Sequence, residues 1–133
     1  MRFGNLFQRK PAPLTGAPAI RRMKTYSAQS GYVYQYYFEG HRALAGSEPG
    51  TEFVFQVSAD RKVWHAISVC VGEAATRSWE TAQSRQLSPS ERYAIAKMAL
   101  FQAFDERTLP SHMKEPILVR QADFETILET LDL

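Results

Sequence analysis

Two periods govern where this chain places its hydrophobic residues, and the switch between them predicts an α+β fold. From residue 88 to 107, SPSERYAIAKMALFQAFDER, Tyr93, Ala96, Leu100 and Phe104 recur at helical spacing, and Ile95, Met98, Ala99, Phe101 and Ala103 widen the stripe. So broad an apolar surface needs cover on more than one side. The start of this helix is written locally. Ser88 can cap it, Pro89 suits the first helical position because it lacks an N–H that would go unpaired there, and Glu91 can reach back to the cap.

A period of two dominates earlier in the chain. Residues 32–39, YVYQYYFE, are rich in the aromatic and β-branched types that fit a pleated surface, and alternation puts Tyr32, Tyr34, Tyr36 and Phe38 on one face. Residues 40–50, GHRALAGSEPG, carry turn chemistry. A second strand at 51–58 presents Phe53, Phe55 and Val57 on one side, and a third follows at 63–71 after a turn at 59–62. The expected register pairs Val57 with Trp64, Phe55 with Ala66 and Phe53 with Ser68, because an odd-length hairpin loop would want a glycine or asparagine that the turn lacks. Gly72 ends the third strand, a short helix is expected over 73–80, a short fourth strand over 117–120, and a last helix over 122–131 with Phe124, Ile127, Leu128 and Leu131 on one side. The fold expected is α+β: a small antiparallel sheet of three to four strands packed against one long helix, with a short helix before it and a C-terminal helix.

Charge divides the chain in a second way. Residues 1–38 hold Arg2, Arg9, Lys10, Arg21, Arg22 and Lys24 and no acid, whereas the rest holds 10 basic residues and all 14 acids. The net charge of +2 is therefore a basic arm of +6 on a body of −4. Pro11, Pro13 and Pro18, with Gly4 and Gly16, interrupt any periodicity in residues 1–25, so these are expected to form an arm without persistent structure and residues 26–133 a single domain. Such an arm is a solubilising tail, an organelle-targeting segment or a phosphate-binding element. With no apolar run near the ~18 residues of a membrane span, and no apolar signal core, the chain is expected to be soluble and cytoplasmic, organelle targeting by the arm being the alternative.

The chemistry-bearing residues narrow the function mainly by exclusion. The single cysteine, Cys70, allows no internal disulfide, and it stands an odd number of residues from His65 on one strand, so the two side chains point to opposite faces and make no catalytic dyad. His41 and His112 fall in loops without partners at close spacing. No metal-ligand spacing and no phosphate-cradling glycine motif is present, so neither cofactor nor metal is expected. The expected role is non-enzymatic: protein interaction, or binding of a small ligand in an aromatic cavity between sheet and helix lined by Tyr34, Tyr36, Phe53, Trp64 and Phe101. The alternative is nucleic-acid binding, with Arg9, Lys10, Arg21, Arg22 and Lys24 on phosphates and Tyr37 stacking a base. An uncovered strand as apolar as YVYQYYF also leads one to expect a homo-oligomer.

Overall fold

The computed structural model describes residues 12–133. Five strands form one sheet in sequence order: β1 (Lys24–Ser27), β2 (Val33–Ala43), β3 (Gly50–Ser58), β4 (His65–Gly72) and β5 (Ile117–Val119). The first four make an antiparallel meander, and β5 joins β4 in parallel. A parallel neighbour cannot be reached by a tight turn, so the chain crosses over through α1 (Glu73–Gln83), α2 (Pro89–Glu106) and a 3-10 turn at Pro110–Lys114. The last helix, α3 (Gln121–Thr130), follows β5.

This corrects the expected architecture. In place of three or four antiparallel strands on one long helix, the described residues build a five-stranded mixed sheet curled into a half-barrel, with three helices. The strand missed, β1, is only KTYS, mostly exposed, and becomes a strand by pairing with residues 33–36 rather than through any pattern of its own. The direction of β5 is equally invisible locally, because three residues alternating buried, exposed, buried read the same either way.

Two further details differ. Val57 pairs with His65, Phe55 with Ile67 and Phe53 with Val69, so the β3–β4 register is shifted by one from that expected and His65, Ile67, Val69 and Val71 make the inward row. The turn that permits this uses no glycine. Arg61 takes the left-handed conformation at φ 65°, while the Asp60 carboxylate accepts the N–H groups of Lys62 at 2.8 Å and Val63 at 2.9 Å. Also, β2 does not stop at residue 39. It runs to Ala43 through a bulge between Phe38 and Gly40, which keeps both Phe38 and His41 opposite inward residues of β3.

The long helix starts as its sequence demands. Ser88 Oγ accepts the Glu91 N–H at 3.1 Å and the Glu91 carboxylate accepts the Ser88 N–H at 2.9 Å. From there α2 lays Ile95, Ala96, Ala99, Leu100, Ala103 and Phe104 onto the inward face of the sheet, where Phe104 stacks on Tyr34 with ring centroids 4.3 Å apart. Phe124, Ile127 and Leu128 of α3 complete the core at the β5 side. No helix among the described residues is long and apolar enough to cross a membrane.

Candidate functional site

The inward face is not filled at its β2 edge. Beyond Tyr36, β2 has lost β1 as a neighbour, and residues 12–23 pass alongside instead as a mostly exposed strap with one backbone bridge. Thr15 donates its N–H to the His41 carbonyl at 2.9 Å and accepts the His41 N–H at 2.8 Å. Two glycines make this approach possible. A side chain at Gly40 (φ 139°) would begin 2.6 Å from the Thr15 carbonyl oxygen, and one at Gly16 (φ 77°) would begin 2.7 Å from Nε2 of His41.

Between the strap and the start of α2 lies a groove of about 840 Å³. Its floor is aromatic. Phe38 lies 4.8 Å from the Tyr93 ring and 6.4 Å from Phe53, and the His41 imidazole lies 5.9 Å from Phe53, all as tilted pairs. Leu87, Pro89 and Ser90 at the mouth of α2 form one wall, and Gly16 and Pro18 of the strap form the other. The polar groups at its margin are few: Thr51, Ser90, His41, the Tyr93 hydroxyl and Arg92. Arg92 is already partnered, with Glu80 at 3.5 Å and Glu73 at 4.0 Å, and Glu80 is fixed in turn by accepting the Leu87 N–H at 2.7 Å. Burial pushes the Tyr93 hydroxyl up, and burial together with Tyr93 pushes that of Tyr36 up to about 12, so both stay neutral donors at physiological pH.

The residues singled out for ligand binding do not converge. Tyr34 is 0% exposed and Tyr36 4%, both packed in the core, and Phe101 packs beside them edge-on to Tyr36 at 5.6 Å. Phe53 does line the groove. Trp64 lies at the opposite face, 5.5 Å from Tyr37. Of the basic set, Arg9 and Lys10 lie outside the described residues, Arg22 and Lys24 are exposed, and Arg21 places its guanidinium 5.2 Å from the centre of the Tyr37 ring. Sequence reasoning passed over His41, Arg92, Tyr93, Gly16 and Pro18. The signal that would have found them was the pairing of Gly16 and Gly40 as a close backbone crossing, together with the bulge that carries the inward row on past Phe38.

Nucleophilic chemistry finds no support on the far face of the sheet. Glu52 there accepts Arg42 Nε at 2.8 Å and the Ser68 hydroxyl, and Cys70 pairs opposite it. Burial and the Glu52 charge push the Cys70 thiol up, away from the thiolate a nucleophile needs. His65, opposite Val57, stands on the other face. Among the described residues, no group of three or more His, Cys, Asp or Glu side chains is arranged to hold a metal ion. Compared with known protein families, curated proteins and solved structures, the chain matches none.

Proposed function

We propose that this α+β domain is a non-enzymatic binder of small apolar molecules, received in the groove between the strap and α2. The observation that carries the reading is an aromatic floor left uncovered: Phe38, Phe53, His41 and Tyr93 border about 840 Å³ of open space, within the several-hundred-Å³ range typical of small-molecule sites. A few polar groups at the rim would orient the ligand, and Arg92, held by two carboxylates, would act as a fixed donor rather than a free charge.

The test uses the neutral dye N-phenylnaphthylamine, whose fluorescence rises on entering an apolar site. The full chain should bind it saturably. Ser90→Trp, a change at an exposed position on the groove wall, should weaken binding about tenfold or more by filling the space, with an unchanged far-ultraviolet spectrum. Absence of saturable binding, or equal binding by the filled variant, would overturn the proposal.

A second reading is favoured by one observation, the Arg21 guanidinium over Tyr37 with Trp64 alongside on the far face. Those groups suit a stacked base and its phosphate in single-stranded nucleic acid. Anisotropy with labelled DNA and RNA strands over a salt series tests it. Affinity that falls steeply with salt and drops on Tyr37→Ala is the expected result, and no binding at low salt sinks it.

A further inference from the structure

Arg92 is the one Lys, Arg, Asp or Glu among the described residues that border the groove. It stands near the start of α2, and its side chain reaches toward α1, where Oε2 of Glu80 lies 3.5 Å and Oε2 of Glu73 4.0 Å from the guanidinium. Thr51, Phe53 and Arg92 border the groove and also, together with Glu73, Val71 and Ile95, a second space of only about 10 Å³. The groove therefore gives out at Arg92, since the space beyond admits no more than about one water molecule.

The donors at that end are largely unspent. A guanidinium carries several N–H groups in a planar fork and no acceptor. Among the described residues the Arg92 side chain makes one hydrogen bond, to Glu80 at 3.5 Å, and the same oxygen already accepts the Leu87 N–H at 2.7 Å. At 4.0 Å Glu73 contributes charge without a hydrogen bond, and its other oxygen accepts from Arg77 at 3.3 Å. Arg92 thus keeps N–H groups for an acceptor that a ligand brings.

Its charge, by contrast, is already met. Arg92 and Arg77 stand against Glu73 and Glu80, so the cluster behind the groove is neutral as a whole. An anionic ligand would have to share the guanidinium with two carboxylates and be repelled by both. A neutral carbonyl meets no such repulsion. It offers lone pairs to the fork and has no proton of its own that needs an acceptor.

We infer that the ligand of the groove is a neutral carbonyl compound, with its apolar body on Phe38, Phe53 and Tyr93 and its ketone, ester or amide oxygen accepting from Arg92, and that the corresponding carboxylates are refused. This rests on the groove being a ligand site, as proposed above, and adds the class of molecule it takes.

Competition against the bound neutral dye tests it with three naphthalenes of similar shape: 2-acetylnaphthalene, its methylene isostere 2-isopropenylnaphthalene, and 2-naphthoate. Arg92→Met, which keeps an unbranched stem, should weaken 2-acetylnaphthalene about tenfold, the size of one hydrogen bond to a charged donor, and leave 2-isopropenylnaphthalene unchanged. A merely structural role for Arg92 would weaken both alike, so an equal change for the two overturns the assignment. Glu80→Gln keeps an oxygen for the Leu87 N–H and removes one negative charge, and should strengthen 2-naphthoate about tenfold while 2-acetylnaphthalene barely changes. If 2-naphthoate displaces the dye better than 2-acetylnaphthalene in the unaltered protein, or gains nothing from Glu80→Gln, the neutral class is overturned and the groove stands as an apolar site. A protein that binds no dye overturns the groove reading, and the assignment falls with it.

Discussion

The two ends of the same inward sheet face are covered differently. At the β4–β5 end α1 lies on β4, α2 on both β4 and β5, and α3 packs over the two helices, so that Val71, Ile117, Val119, Met113, Phe124, Ile127 and Leu128 are all buried. At the β2 end the cover is one helix and a strap containing Gly16 and Pro18, and the groove opens there. Both ends carry large aromatic or aliphatic side chains, so hydrophobicity does not distinguish them. What distinguishes them is whether a helical layer is present to fill the space, and an extended segment held by a single bridge to His41 is too thin to do it. An apolar surface under a full layer is core, and the same surface under a strap is a candidate site.

Substitutions at the two ends should therefore differ most in stability. Phe124→Ala at the sealed end removes a side chain that is 1% exposed and should cost about 3–5 kcal/mol in urea unfolding. Tyr93→Ala at the groove enlarges a space already open and should cost about 1–2 kcal/mol, while weakening dye binding. Equal costs would mean that the groove is closed in solution. Next in size is Gly16→Ala, which forces a side chain into the left-handed region against His41 at a local cost of about 1–3 kcal/mol. Because only the bridge depends on it, amide exchange at Thr15 and His41 should accelerate roughly tenfold or more while the midpoint of global unfolding barely moves.

The same contrast explains what was legible in the sequence. The cap of α2 at Ser88, Pro89 and Glu91, its apolar stripe, the strand faces of Tyr34, Tyr36, Phe53 and Phe55, and the buried side of α3 are short-range patterns, and each appears in the structure where local physics puts it. Features that depend on partners distant in the chain were not legible. β1 is a strand because of β2, β5 is parallel because of the crossover, and the turn at Arg61 adopts a conformation that its sequence does not advertise. The site belongs to this second group, since it joins residues 16–18, 38–53 and 87–93. A cavity of Tyr34, Tyr36, Phe53, Trp64 and Phe101 is the local expectation for the space between sheet and helix, and of these only Phe53 borders the groove. Elsewhere between sheet and helix the packing is complete, and the open space lies one strand edge away.

The strap is also held from the far face, and pH should reveal it. Arg42 reaches the Ala12 carbonyl at 3.5 Å while its Nε donates to Glu52 at 2.8 Å. The Arg42 hydrogen bond, helped by Ser68, holds the Glu52 carboxyl below the usual glutamate range against the opposing effect of burial. A carboxylate with a lowered folded-state pKa contributes stability that is present above the unfolded value, ~4.3, and is lost as pH falls through the folded value. Glu52→Gln should cost about 1–2 kcal/mol at neutral pH, and the stability difference from the parent should shrink as the solution is acidified. A constant difference from neutral to acid pH would show that the charge plays no part in fixing this edge.

The smallest effect is expected at Tyr26, where β1 is tied to the end of α2 in place of a covering helix. Its ring stacks on Phe101 at 4.4 Å and its hydroxyl donates to Asp105 at 2.7 Å, while the neighbouring Ser30 hydroxyl donates to the Phe104 carbonyl at 2.9 Å. Tyr26→Phe keeps the stack and removes the hydrogen bond, so a loss of about 0.5–1 kcal/mol at neutral pH is expected. Burial and the Asp105 hydrogen bond raise the Tyr26 hydroxyl to about 12 from its ordinary 10.0. A group whose folded value is raised contributes stability that is fully present below the unfolded value, here 10.0, and is lost as pH rises through about 12. The difference between parent and variant should therefore hold at neutral pH and shrink across that alkaline window, as read from urea midpoints. A loss of several kcal/mol instead would mean that the whole β1 edge hangs on this one bond, making the open end of the sheet far more fragile than its packing implies.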